Sequence, residues 1–257
     1  MTTSAAPFTR VVPTTGAQRI WRIVRLHFAN PWGTIVLPWI ILGIIFVANL
    51  AIWLLVYWSI QDTSGRAGVS GGMQYSGASF YIFVYMLVVA IQAINVTFPF
   101  ALGYGVTRRD YYLGTALNFV ILSLLYSAGI TLLSIIEDLT NGWGVGGRMF
   151  SAVYFGDSWP VRFYIFFIGL LFFFFAGALF GSIYVRWKAT GMVALFVGLG
   201  LIGVGIVALL ILTNGWSTVG AFFASAGLVG SISLSLVATA VAGTAGYFVL
   251  RRATPRA

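Results

Sequence analysis

The sequence predicts an all-α integral membrane protein, with six transmembrane helices behind an N-terminal amphipathic interfacial helix and both termini cytoplasmic. Three observations predict it. Of 257 residues, 60% are hydrophobic and only 7% charged, whereas a soluble domain carries about 25% charge to cover its surface. The few charges sit in clusters separated by apolar runs long enough to cross a bilayer. Finally, eleven of the 14 Lys and Arg fall on one set of alternating connections.

Residues 1–14 are small, polar and Pro-containing, which predicts a disordered tail. No apolar core follows the first charge, so the tail does not read as a signal peptide. Thr15 and Gln18 have capping-box spacing for a helix over 15–30. At about 100° per residue, Ile20, Trp21, Ile23, Val24, His27 and Phe28 share one face and Gln18, Arg22 and Arg25 the other. That is the pattern of a basic helix lying in the membrane interface, with Trp21, Arg22, Arg25 and Phe28 as its anchors. His27 lies inside the apolar arc and reads as one more anchor. Pro31 ends the helix by pushing Asn30 out of helical geometry.

The domain over 31–257 is read from its charge-free gaps. A span needs about 20 apolar residues, which places six at 35–59, 80–104, 112–136, 163–185, 190–212 and 227–250. The long gap between Lys188 and Arg251 holds two of them, divided at Thr213–Ser217, and 213–226 reads as a short loop. The connection from Glu137 to Pro160 is Gly- and aromatic-rich and too short for a separate domain. Glu137 and Asp138 read as the solvated outer boundary of the third span.

Orientation follows from the basic residues. Arg10, Arg19, Arg22, Arg25, Arg108, Arg109, Arg186, Lys188, Arg251, Arg252 and Arg256 fall on the predicted cytoplasmic side, and Arg66, Arg148 and Arg162 on the other. Four of the five acids, Asp62, Glu137, Asp138 and Asp157, accompany the smaller group. The net charge of +9 is thus a topology signal and gives no reason to expect nucleic acid as a partner.

Several chemistries are excluded by what is missing. The chain has no Cys, so disulfides and thiolate metal sites are out. It has one His, too few for paired-His metal chemistry, and no catalytic or metal residues are assigned. The pattern G-x-G-x-x-G occurs at Gly142–Gly147 and Gly198–Gly203, but neither follows a strand and opens a helix. Gly198, Gly200, Gly203 and Gly205 are expected to allow close helix packing instead. The only lysine, Lys188, follows Trp187, so no P-loop exists, and no cofactor is expected on this chain. Polar groups inside the spans are neutral: Asn49, Gln92, Asn95, Asn118, Ser127, Thr131 and Ser182. Their expected role is interhelical hydrogen bonding, with Asn49, Gln92, Asn95 and Asn118 as possible lining of a substrate path. Ion-coupled carriers place ionisable groups at membrane depth; without them, energy for any transport must come from elsewhere.

The one compact polar interruption is Thr107-Arg108-Arg109-Asp110, within FPFALGYGVTRRDYYLGT. Pro99 is expected to kink the second span near its end, and Gly103 and Gly105 loosen the exit. Thr107 and Asp110 have capping-box spacing, with the acid placed against the helix dipole. The run GYGVTRRDYYLGT resembles the G-x-[ST]-R-x-[DE]-aromatic segment joining the second and third spans in membrane subunits of ABC-2-type transporters. The amphipathic helix ending in Asn30-Pro31-Trp32 is similar to that family's connecting helix, and the six-span plan matches. The resemblance covers the plan of most of the chain, but only about thirteen residues by motif.

The resemblance implies a permease subunit with no catalysis of its own. Gly105, Thr107, Arg108, Arg109, Asp110, Tyr111 and Tyr112 would form the coupling helix that docks on a separate cytoplasmic nucleotide-binding subunit, which carries the ATP and Mg. A second permease subunit, identical or related, would complete the pathway in the cell membrane. That family often has re-entrant helices between spans five and six, whereas here the corresponding loop is short and uncharged. The alternative from the residues alone is a non-transporting six-helix membrane scaffold or regulatory subunit.

Overall fold

The computed structural model describes residues 15–253; the expected tail at 1–14 lies outside them. All regular secondary structure among the described residues is helical, without strands. Helix α1 (Gly16–His27) opens with the expected capping box. The Gln18 amide donates to Thr15 Oγ1 at 3.4 Å, and the Thr15 amide to Gln18 Oε1 at 3.1 Å. A wide π-helical turn (Trp32–Val36) leads into α2 (Leu37–Ser59). Asp62 caps α3 (Thr63–Gly72) by accepting from Gly65. Helix α4 (Tyr81–Gln92) runs through a second π turn (Ala93–Thr97) into α5 (Phe98–Gly103). The remaining helices are α6 (Arg108–Leu139), α7 (Trp159–Leu212), α8 (Trp216–Ser233) and α9 (Ser235–Arg251). Five helical stretches are long and apolar enough to cross a membrane: Trp32–Ser59, Thr63–Gly103, Arg108–Leu139, Trp159–Leu212 and Trp216–Arg251.

The 54 residues of α7 would measure about 80 Å if straight. They fold back on themselves instead. Lys188 takes φ 55° and ψ −145°, a conformation that costs a residue with a side chain about 1–3 kcal/mol. The Phe180 and Phe196 rings then meet at 5.8 Å across the hairpin.

The first limb of α7 is the centre of the bundle, with α4, α6 and α9 packed around it. Phe174 stacks on Phe119 at 4.8 Å and Phe166 on Phe83 at 5.9 Å. Glycine permits the closest approach: a Cβ on Gly177 would stand 2.4 Å from the Leu87 carbonyl oxygen. The close packing expected at Gly198, Gly200, Gly203 and Gly205 is not made within the chain, where a Cβ at any of them would meet open space.

Two expectations need correction. Residues 213–226 are not a simple loop. After a tight turn at Asn214 the chain is helical again from Trp216, and it breaks at Gly227 (φ 65°, ψ −175°). The stretch contains neither Pro nor charge, so nothing past Gly215 opposes a helix. Glu137, too, is not a solvated boundary but is fully buried. Its carboxylate accepts from Trp143 Nε1 (2.8 Å) and from the amides of Met149 (2.9 Å), Phe150 (2.9 Å) and Ser151 (2.7 Å). Beside it Asp138 pairs with the buried Arg162, whose Nε also donates to the Gly156 carbonyl at 2.9 Å. These carboxylates fold the 140–158 connection.

Candidate functional site

The Thr107–Asp110 elbow is built as its sequence indicates. Thr107 is extended (φ −72°, ψ 147°), and its Oγ1 accepts from the Asp110 amide at 3.1 Å. Gly105 supplies the left-handed turn (φ 79°) that reverses the chain out of α5.

Its side chains divide into two groups. Gly103, Tyr104, Gly105, Thr107 and Arg109 are exposed, Tyr104 by 76%. Arg108 is half-buried and donates from Nη1 to the Arg251 carbonyl at 2.8 Å, tying the elbow to the end of α9. Asp110, Tyr111 and Tyr112 are buried within the chain. Their side chains are therefore not contact surface, as expected, but supports of the elbow. Asp110 pairs with Arg19 of α1 at 3.0 Å. Tyr111 donates to the Ala93 carbonyl at 2.6 Å, and Tyr112 to the Gly243 carbonyl at 2.6 Å. Tyr104, in turn, is an exposed aromatic at the elbow that motif reading passed over.

Helix α1 runs beside the first turns of α6. Ile23 and Val24 are buried, and a Cβ on Gly114 would fall 2.5 Å from Ile23 Cβ and 2.9 Å from the Ile20 carbonyl oxygen. The apolar arc is thus split between protein and surroundings. Trp21, Arg22 and Arg25 are exposed and Phe28 half-buried.

His27 is not an interfacial anchor, because its Nε2 lies 3.0 Å from Thr115 Oγ1. Burial lowers its pKa from 6.5 to about 4. The unfolded or undocked state therefore binds the proton more readily between those values. The docked state is fully favoured above pH 6.5 and loses its advantage as pH falls toward 4, with a limit on the order of 3 kcal/mol. Tryptic cleavage after Arg22 and Arg25 should accelerate between pH 6.5 and 5 relative to cleavage after Arg66. In a His27→Gln chain that pH dependence should vanish.

Behind α1 lies a cavity of about 500 Å³, lined among others by His27, Thr34, Tyr85, Gln92, Thr97 and Asn118. Both π turns border it. Each is followed two residues later by a proline, Pro38 or Pro99, which lacks an N–H and clashes with the carbonyl four residues back. Widening the preceding turn relieves the clash and frees carbonyls. Tyrosines take them up: Tyr85 donates to Gly33 at 2.8 Å and Tyr126 to Thr34 at 2.7 Å. Thr34 Oγ1 and Asn118 Oδ1 remain buried without partners, and such groups in a roomy polar cavity are sites for a hydrogen-bonding ligand or water.

Of the four amides expected along a path, Gln92 and Asn118 line this cavity. Asn95 is not part of its lining, and its Oδ1 is also unpartnered. Asn49 lies apart, donating to Ser76 Oγ at 3.2 Å. Ser127 and Ser182 do not bond between helices as expected; each donates to a carbonyl of its own helix.

No protein-family model, curated protein or solved structure matches this chain.

Proposed function

We propose that the chain is the membrane-spanning permease subunit of an ATP-binding-cassette transporter of the ABC-2 type, exporting a substrate with energy from a separate ATPase. The observation that carries this reading is the elbow. Between two long apolar helical stretches stands a capped turn whose outward side chains are Tyr104, Thr107 and Arg109. Its inward side chains grip α1, the π turn at Ala93 and α9. A surface braced to three other elements is suited to receive a push.

The reading has six spans, because the α7 hairpin counts as two crossings. The elbow and both termini face the cytoplasm, in keeping with the basic residues gathered there. ATP and Mg belong to a nucleotide-binding subunit docked on the elbow, and a second permease subunit, identical or related, completes the pathway. The cavity bordered by Gln92 and Asn118 is the candidate segment of the substrate path, its neutral lining suited to an uncharged, hydrogen-bonding molecule.

Purification from mild detergent should bring down a soluble ATPase. Arg109→Glu, combined with Arg108→Glu, should reduce that association at least about tenfold, as reversal of an interfacial charge does, while the protein still inserts. An unchanged yield of ATPase with both substitutions would remove the elbow from the interface and the reading with it.

A further inference from the structure

The outer face of α1 presents two arginines for which the described residues hold no counter-charge. Arg22 and Arg25 stand one turn apart and exposed. The chain has five acids. Four of them lie at the end of the bundle away from the elbow, Glu137 and Asp138 in the last turn of α6 and Asp62 and Asp157 in connections. The fifth, Asp110, is already held by Arg19 at 3.0 Å. Among the described residues, no acid lies within ion-pair distance of Arg22 or Arg25.

Beneath these guanidinium groups a cleft of about 660 Å³ opens between α1 and α6. Apart from the two arginines its walls are apolar, with Trp21 and Phe28 on one side and Ile121 on the other. The cleft therefore has a cationic rim and an apolar floor.

We propose that this cleft binds an acidic glycerophospholipid, with Arg22 and Arg25 on its phosphate and an acyl chain along Phe28 and Ile121. Depth favours a lipid over a protein partner. Helix α6 has 32 residues, about 48 Å, against a hydrocarbon core of about 30 Å. The excess of about 18 Å lies at the two ends of α6, and α1 packs at the elbow end, with Arg19 on Asp110 and Ile23 on Gly114. Arg22 and Arg25 then lie at headgroup level, whereas Ile121, about 20 Å along α6 from Arg108, is at acyl depth. A soluble subunit does not reach there. Juxtamembrane arginines attract acidic lipid, and here a shaped cleft adds selectivity to that attraction.

The proposal rests on the membrane placement of α1 and not on the transport reading. The full chain would be reconstituted in nanodiscs of equal phosphatidylglycerol and phosphatidylcholine, and tightly retained lipid counted by native mass spectrometry. Phosphatidylglycerol should be retained selectively by the wild type and by an R251Q/R252Q control, which removes two charges elsewhere on the same face. The R22Q/R25Q chain should retain about tenfold less or lower still. Equal retention by R22Q/R25Q, or equal retention of phosphatidylcholine by the wild type, overturns the lipid site. So does a R22Q/R25Q chain that keeps its phosphatidylglycerol but loses a co-purifying ATPase, which would assign the surface to protein. Release of the wild-type chain from native membranes by alkaline carbonate would instead overturn the membrane placement itself.

Discussion

Glu137→Ala should lower the melting temperature of the detergent-solubilised protein by about 10 °C or more. The carboxylate is the sole acceptor recorded for three consecutive amides, Met149, Phe150 and Ser151, and for the Trp143 indole. Removing it strands four donors in a buried setting, each costing about 1–3 kcal/mol when unsatisfied. Partial relaxation of the loop leaves a net loss of at least about 4 kcal/mol, and each kcal/mol moves the midpoint by about 2–4 °C in a protein of this size. Glu137→Gln should lose less than the alanine variant, because one carbonyl oxygen remains, but its amide donors face other donors. A fall below about 3 °C for the alanine variant would mean that the loop folds without this carboxylate.

The second large effect is expected at Gly114. Leucine there has nowhere to place its Cβ, since Ile23 Cβ lies 2.5 Å away and the Ile20 backbone oxygen 2.9 Å. A side chain could rotate aside, but the backbone of α1 cannot, so α1 must lift off. With it go the burial of Ile23 and Val24, the Arg19–Asp110 pair and the His27–Thr115 bond. The combined loss is on the order of 3 kcal/mol or more. Trypsin should then cut after Arg19, Arg22 and Arg25 at least about tenfold faster at pH 7.5, at a pH where the wild type keeps α1 docked. The α7 hairpin should remain resistant, since its packing is chiefly on α4, α6 and α9. Cleavage at the wild-type rate would show that α6 yields locally and that the α1–α6 contact is looser than the packing implies.

The parts of this fold that sequence alone displayed are those governed by near neighbours. Thr15–Gln18 and Thr107–Asp110 are three residues apart; the first forms the full capping box, and the second forms its N-cap bond while the Asp110 carboxylate turns to Arg19. The long apolar stretches were equally plain, since composition alone sets them. Glu137 was misread because its partners come from amides 12 to 14 residues ahead, in a loop whose Gly content gave no hint of order. His27 was misread because Thr115, 88 residues away, is invisible to a helical projection. The direction of Asp110, Tyr111 and Tyr112 was likewise hidden, since a motif names residues and not the side they face. Pro38 and Pro99 were a usable signal: a proline inside a span frees a carbonyl, and a nearby tyrosine is the natural donor to look for.

The hydrogen bond from Tyr111 to the Ala93 carbonyl links the first turn after the elbow to the turn where the preceding helix widens. Such a bond weakens steeply once its ends part by more than about half an ångström. Elbow and proline hinge therefore behave as one rigid part over small displacements and as two parts beyond them. Under the proposed transport reading, a load applied at Arg109 would pass through this bond to Ala93, which lines the cavity. Under that reading, the phenol of Tyr111 would act as a shear pin between the elbow and the widened turn.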